Sequence, residues 1–119
     1  MAKKTYTIII KINGKTVEAM PGVSLTMGGK TRKPLTVNGV AGQHYTEEPV
    51  PSLTKFKVAH GMGVVIDDFR NATDVTLVAE CDSGITYQCA GAYTTNALEL
   101  SDGDGGLSIE MAGPPYEEI

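Results

Sequence analysis

Apolar and polar residues alternate along much of this chain with the two-residue period of a β-strand. The first clear run is 5–12, where one face carries only apolar side chains: Tyr6, Ile8, Ile10 and Ile12. Asn13-Gly14 follows, a pair that favours a tight type I′ hairpin turn because both residues tolerate positive φ. The chain is therefore expected to fold back on itself at this point. The expected register sets two pairs on the apolar face: Val17 opposite Ile10 and Ala19 opposite Ile8.

Six further runs have the length and alternation of strands. They are 23–27, 53–58, 74–81, 85–89, 93–100 and 107–111. The helix expected in this chain is 63–70, where Val65, Ile66 and Phe69 fall at helical spacing. Short strands with closely spaced turns are typical of an antiparallel β-barrel or a sandwich of two packed sheets. With 119 residues the chain has the size of one domain, which we assign to 1–119.

The last predicted hairpin is followed by a tail. Its register pairs Leu100 with Leu107, so that the opposite face carries two acids, Glu99 and Glu110. Residues 112–119 include two consecutive prolines, which lack the N–H that a strand ladder needs. We therefore expect an extended C-terminal tail rather than another strand.

The segment 30–51 interrupts the alternation. It reads KTRKPLTVNGVAGQHYTEEPVP and holds three of the six prolines and a second turn pair, Asn38-Gly39. Most connections in compact domains run to about 4–6 residues, so a structureless segment of this length is unusual. It is either a disordered tether or a long loop that packs on another molecule, and we favour the second interpretation. Its basic start and acidic end are suited to a charged contact.

Charge is distributed unevenly along the chain. Residues 1–33 hold seven of the ten Lys and Arg, whereas 34–119 hold thirteen of the fourteen acids, and the net charge is −4. A nucleic-acid-binding domain usually carries a net basic surface, which this composition does not predict. No stretch reads as a signal peptide or a membrane span, because Lys11 interrupts the early apolar run. Cys81 and Cys89 are then expected to stay reduced in a cytoplasm.

Several residues with chemical potential lack the neighbours that a site would need. His44 and His60 have no serine or carboxylate at a motif spacing, and two His with two separated Cys do not form a known zinc pattern. The run 102–106 resembles part of a calcium loop but is better explained as a glycine-rich turn. A small enzyme would need converging polar groups in a pocket, and the sequence offers no such set. We expect no cofactor and no metal.

Several short motifs stand in a particular order and spacing, from the opening hairpin 7–17 through the long segment to the end of the sequence. After the hairpin they are Arg32, Pro34, Asn38-Gly39-Val40, Gly42, Tyr45, Glu47-Glu48-Pro49, Pro51, Asn71-Ala72, Asn96-Ala97-Leu98-Glu99, Gly113-Pro114 and Glu117-Glu118-Ile119. This order and spacing resemble those of the tail tube proteins of contractile-tailed, Mu-like phages, and the resemblance is strongest in the long segment. Three features depart from the pattern: Cys81, Cys89 and Pro115-Tyr116.

The resemblance implies a structural virion protein, assembled in the host cytoplasm, whose fold is shared with type VI secretion tube proteins. Members form hexameric rings that stack into a hollow tube inside a contractile sheath, and DNA passes through the lumen without sequence-specific binding. Sheath, tape-measure and baseplate proteins are the implied partners, with no membrane. In the family the long loop is mobile in the free subunit and orders in the tube. A tail-completion protein or a type VI-like tube protein on the same fold is the alternative.

The residues expected to carry assembly lie in the long segment. We predict contacts between subunits and between rings for nine of them: Lys30, Arg32, Lys33, Pro34, Asn38, Gly39, Tyr45, Glu47 and Glu48. The bases at its start are expected to pair with the acids at its end across a ring boundary. The acidic face with Glu99 and Glu110 is expected to line the lumen, since a wall with the sign of DNA avoids binding it.

Overall fold

A computed structural model describes residues 3–103 and 105–119. Within these ranges it contains eleven strands and one helix. In chain order they are β1 (Ile8–Ile12), β2 (Lys15–Thr16), β3 (Ser24–Thr26), β4 (Gly29–Val37), β5 (Val40–Val50), β6 (Ser52–Ala59), α1 (Asp67–Arg70), β7 (Val75–Cys81), β8 (Thr86–Thr94), β9 (Glu99–Leu100), β10 (Gly106–Gly113) and β11 (Glu117–Glu118). The predicted mainly-β class with one short helix is confirmed.

The strands of the body pair antiparallel along one path. The order is β2-β1-β7-β8-β10-β6-β3, with β11 added to β8 and β9 added to β10. Strand β8 serves two neighbours in turn, since its first part pairs with β7 while Tyr93 and Thr94 pair with β10. The path ends at β2 and β3 and does not close into a barrel, so the barrel form of the prediction is wrong. Strands β4 and β5 form a separate two-stranded sheet.

The core of the body lies between these strands and is built by strict alternation. In β6 every second side chain is buried. Buried side chains of β7 and β10 pack with them in the same core. The most buried large apolar residues are Ile10, Phe56, Val58, Leu77, Leu107, Ile109 and Met111. Burying one such side chain contributes about 1.5–3 kcal/mol, so this cluster provides most of the hydrophobic stabilisation of the body.

Two expected pairings at the first hairpin have different outcomes. Val17 donates its N–H to the Ile10 carbonyl at 2.9 Å, which confirms that pair. Ala19 does not face Ile8; it bridges Val58 of β6, and Ile8 pairs with Cys81 instead. The chain after β2 therefore leaves the first hairpin and crosses to β6 before β3 begins.

The predicted strand 93–100 is interrupted because a side chain replaces the backbone ladder. Asn96 accepts the Glu110 N–H at 3.0 Å and donates to the Ser108 carbonyl at 3.2 Å. The Asn96 side-chain amide therefore makes the hydrogen bonds to the β10 backbone that a neighbouring strand would otherwise make. Strand β9 follows and restores the expected pair of Leu100 with Leu107.

The helix and the tail also differ from expectation. The predicted helix 63–70 shortens to the single turn α1, because residues before it form turns and a longer helix would gain little from packing only Phe69 and Val64. The tail does form a strand, which corrects the prediction: Glu117 pairs with Gln88 in β11. The two prolines lack an N–H, and backbone hydrogen bonding begins again at Tyr116, whose N–H donates to the Met27 carbonyl.

Candidate functional site, a projecting hairpin

The segment predicted as a long loop is a β-hairpin, hereafter the arm (residues 29–50). Its strands β4 and β5 pair from Gly29 with Val50 to Val37 with Val40. The turn at the tip is the predicted Asn38-Gly39, with φ of 52° and 77°, the positive values that a type I′ turn requires. The loop prediction is wrong, because Pro34 and Pro49 lie within paired strands. In a two-stranded sheet both strands are edges, and an edge strand tolerates a proline whose missing N–H is not needed by its neighbour.

The arm projects from the body. All residues from Lys30 to Pro49 are exposed. The molecule measures 63 × 40 × 28 Å, and its radius of gyration is 17.5 Å, compared with about 14 Å for a compact chain of this length. The nine residues of β4 at about 3.3 Å each give the arm a reach of roughly 30 Å. The arm is long enough to contact a neighbouring molecule.

One face of the arm is held together by its own charges. Arg32 lies opposite Glu47, and its Nε is 3.2 Å from Glu47 Oε1, while Lys30 Nζ is 3.6 Å from Glu47 Oε2. The Arg32 guanidinium also lies 5.8 Å from the centre of the Tyr45 ring, within the range of a cation–π contact. Pro34, the direct partner of Tyr45, completes this paired face. Five of the nine predicted residues thus lie on one face of a single arm.

The other face of the arm is open, and we name it the open face. It carries Leu35, Val37 and Val40 near the tip, which are 37%, 40% and 45% exposed. Lys33 and Glu48 share this face, and neither forms an ion pair with any residue of 3–103 or 105–119. The structure therefore separates the predicted charges: Glu47 is already paired within the arm, whereas Lys33 and Glu48 are available to a partner.

The root of the arm is fixed by a set of residues that the sequence did not point to. Ser52 Oγ donates to the Gly113 carbonyl at 3.1 Å, and the Tyr116 N–H donates to the Met27 carbonyl at 2.9 Å. The Tyr116 and Thr54 hydroxyls are hydrogen-bonded to each other, and burial raises the pKa of Tyr116 to about 12. The burial of Ser52 and Thr54 could have been predicted, because they alternate in step with Phe56 and Val58 on the same face of β6.

Two of the family departures belong to this root. Cys89 is buried and donates its Sγ–H to the Pro114 carbonyl at 3.1 Å, with Ser52 Oγ at 3.4 Å. Cys81 and Cys89 are both free thiols, and Cys89 pairs with Leu77 of β7 in the strand ladder. The C-terminal tail therefore packs beneath the arm instead of extending away.

The predicted acidic face lies on the body, away from the arm. Glu99 is exposed and sits opposite Ser108, so it shares a face with Glu110 as expected. Glu110 lies opposite Lys55, and the two side chains approach to 3.9 Å between Nζ and Oε1. The face is therefore less negative than the sequence alone indicates.

Other classes of site find little support in the part of the chain that is described. His44 lies in the arm, while His60 donates its backbone N–H to Gly105 near the end of β6. Across 3–103 and 105–119 no three His, Cys, Asp or Glu cluster closely enough to hold a metal ion. Over the same residues, the helix found is too short to span a membrane.

Comparison with known proteins gives consistent matches over nearly the full chain. A family model described as phage tail tube protein matches residues 1–118. The Mu-like prophage FluMu tail tube protein of Haemophilus influenzae is 32% identical over 104 residues, which cover 87% of this chain and 86% of that relative. The tail tube protein of Escherichia phage Mu is 28% identical over 110 residues, covering 92% of this chain and 90% of that protein.

Proposed function

Since the chain belongs to the phage tail tube protein family, we propose that it polymerises as stacked rings of six subunits into the inner tube of a contractile tail. The resemblance drawn from the sequence motifs is confirmed by these matches. The family is structural, so the protein is a virion component and not an enzyme. In the proposal, the tube is the conduit through which the genome is delivered.

The observation that carries this proposal is the arm. It is a hairpin of two strands without a core of its own, and every residue from 30 to 49 faces solvent. An isolated two-stranded hairpin is at best marginally stable in water, so such an arm gains most when another surface covers it. A second copy of the chain is the partner that a polymer provides.

An arm that docks on the next copy gives a head-to-tail contact. Such a contact is heterologous: the arm meets a different surface on its neighbour, so the same contact can be repeated along an axis. The arm is a preformed but weakly stabilised hairpin, so docking it still costs conformational entropy, which opposes the first contact between two copies. Tubes are therefore expected to grow slowly without a nucleating partner, as a tail of controlled length requires.

The remaining surfaces are assigned to the other tail components. The face with Glu99 and Glu110 is proposed to line the lumen, where its acids would repel DNA and prevent the counterion-release binding of basic channels. Sheath, tape-measure and baseplate proteins are the proposed partners of the outer face, the lumen and the tube end. Assembly is proposed to occur in the host cytoplasm, where both thiols stay reduced.

A double charge reversal in the arm tests the proposal. Glu47→Lys with Glu48→Lys removes the acid that pairs with Arg32 and Lys30 and reverses the open face. We expect a folded monomer that forms no tubes in negative-stain electron microscopy. The matched control is Glu117→Lys with Glu118→Lys, which changes the net charge equally on β11. Normal tubes from the arm variant, or equal loss of tubes from both variants, would contradict the role of the arm.

A further inference from the structure

A second open surface lies on the body, in a cleft between the β1–β2 hairpin and the segment that leads into α1. The cleft has a volume of about 600 Å³. Its floor is apolar and is formed by Ile12, Val17, Val58, Val64, Phe69 and Val75. No residue of the arm of the same chain lines it. The cleft is thus a concave apolar surface without an occupant from its own chain.

The lip of this cleft exposes large apolar side chains. Met62 and Val65 line the cleft and are fully and 54% exposed, and Ile66, which follows Val65 in the chain, is 38% exposed. Single exposed apolar residues need no explanation, but three within five positions beside an apolar cleft mark an interaction surface. The arm tip exposes a similar group, with Leu35, Val37 and Val40 within six positions.

The charges around the cleft complement those of the open face. Glu18 and Asp68 line it together with Lys15, and none of these three forms an ion pair with a residue of 3–103 or 105–119. On the open face, Lys33 and Glu48 are likewise unpaired. A tip seated in the cleft would place Lys33, which is two residues from Leu35 on the same face, beside the acids of the cleft.

We propose that the tip of the arm of one copy inserts its Leu35, Val37 and Val40 into this cleft of a second copy, with Lys33 beside Asp68. The proposal rests on the proposed function, for which it supplies the receiving surface. The arm tip and the cleft are different surfaces, so a pair of copies keeps an empty cleft on one copy and a free arm on the other. The same contact can therefore be repeated along a polymer. The paired face around Arg32 stays outward and keeps the arm straight during docking.

A charge exchange tests this contact. Lys33→Glu and Asp68→Lys each place like charges in contact, and we expect each alone to raise the critical concentration for tube growth roughly tenfold. Combining the two changes restores the opposite pair, so tubes should return to near the wild-type critical concentration. The matched control combines Lys33→Glu with Asp102→Lys, an acid in a turn outside the cleft, and should not recover. Equal behaviour of the two double variants would overturn the proposal.

The outcomes separate this inference from the function on which it rests. If the wild-type chain forms no tubes under any condition, the proposed function fails; if it forms tubes but the exchange does not rescue, only the cleft contact fails. Cross-linking gives an independent readout, in a Cys81→Ser background. Val37→Cys with Val65→Cys should give a ladder of covalent oligomers from assembled tubes treated with a short thiol cross-linker, and Val37→Cys alone should not. Absence of that ladder in tubes would also overturn the contact, even if a charge variant failed to fold.

Discussion

Strands β5 and β6 follow each other in the chain with only Pro51 between them, yet their side chains differ sharply in burial. In β6 every second side chain is buried, beginning with Ser52 and including Phe56. In β5 every residue is exposed until Val50 at its end. Both strands are paired with a neighbour along most or all of their length, so backbone pairing does not explain the difference. The difference lies in the side chains, because neither face of β5 is continuously apolar.

This contrast indicates that the body determines the stability of the fold and that the arm serves assembly. The body has a core, so its strands are stable without a partner molecule, whereas the arm relies on a turn, one ion-paired cluster and one cation–π contact. Exposed ion pairs of this kind contribute about 0–1 kcal/mol each. The arm is therefore a preformed but weakly stabilised surface. Changes in the body should alter the free energy of unfolding, and changes in the arm should alter assembly.

The largest expected effect on stability comes from the core. Leu77→Ala removes a side chain that is 1% exposed and should lower the free energy of unfolding by about 2–5 kcal/mol. The matched arm variant Leu35→Ala should change it by less than about 0.5 kcal/mol while it impairs tube growth. Urea denaturation of the monomers measures both values. Similar losses in the two variants would remove the distinction between arm and body.

A smaller loss is expected where the arm joins the body. Gly28 has φ +78°, and a Cβ at this position would lie 2.8 Å from the Ser52 backbone nitrogen. Gly28→Ala should therefore cost about 1–3 kcal/mol and shift the root. The control Gly14→Ala has a similar φ of +84° but no atom within 4 Å, so it isolates the backbone strain. If the two variants lose equal stability, the close approach at the root is not important.

The tail that packs under the arm should show a pH dependence at high pH. Tyr116 has its pKa raised to about 12 by burial, compared with 10.0 for the ordinary group. The unfolded chain therefore releases this proton first, and stability that is complete below pH 10 falls as the pH rises towards 12. The loss should be on the order of 1–2 kcal/mol, since the side chain keeps part of its surface in solvent.

Tyr116→Phe is the control for that titration. It loses the hydrogen bond to Thr54 at every pH, which costs about 1 kcal/mol, but it has no proton to release. Thermal unfolding between pH 9 and 12 should therefore decline more steeply in the wild type than in the variant. Parallel curves would mean that Tyr116 does not titrate differently in the folded state.

The smallest expected effect concerns the N-terminal segment. Asp82 has its pKa lowered mainly by the hydrogen bond from the Tyr6 N–H, at 2.8 Å to Oδ1, with further help from Thr7 and Lys3. Its contribution is complete above the ordinary pKa of 3.8 and is lost as the pH falls through the lower folded value. Hydrogen exchange of the Tyr6 amide should accelerate in acid. Asp82→Asn should remove this pH dependence, and an unchanged profile in the variant would contradict the assignment.

Much of the fold follows from local sequence rules. Asn13-Gly14 and Asn38-Gly39 both turn as predicted because few other pairs adopt two positive φ values, and β6 follows its alternation. The sequence did not reveal the arm as a hairpin, because pairing without a core leaves no apolar periodicity. It also missed the ladder break at Asn96, where a single side chain competes with the backbone.

The sequence identified the residues of the candidate site but not which of them share a face of the arm. The division of the arm into a paired face and an open face depends on register, which sets Arg32 against Glu47 and leaves Glu48 on the other side. It depends further on the irregularity between Leu35 and Thr36, where the register shifts. Neither quantity can be read from residue types in a segment that lacks an apolar face to fix it. The cleft is a tertiary feature and required the assembled body.

The central claim is that the arm serves assembly and not folding, and a shortened arm tests it most directly. Replacing 31–48 by Asn-Gly joins Lys30 to Pro49, which already pair, through a two-residue turn. The account predicts a monomer whose free energy of unfolding lies within about 1 kcal/mol of the full-length monomer. Sedimentation should show that it stays monomeric at concentrations where the full-length chain forms tubes. Tubes from the shortened chain, or its failure to fold, would contradict the account.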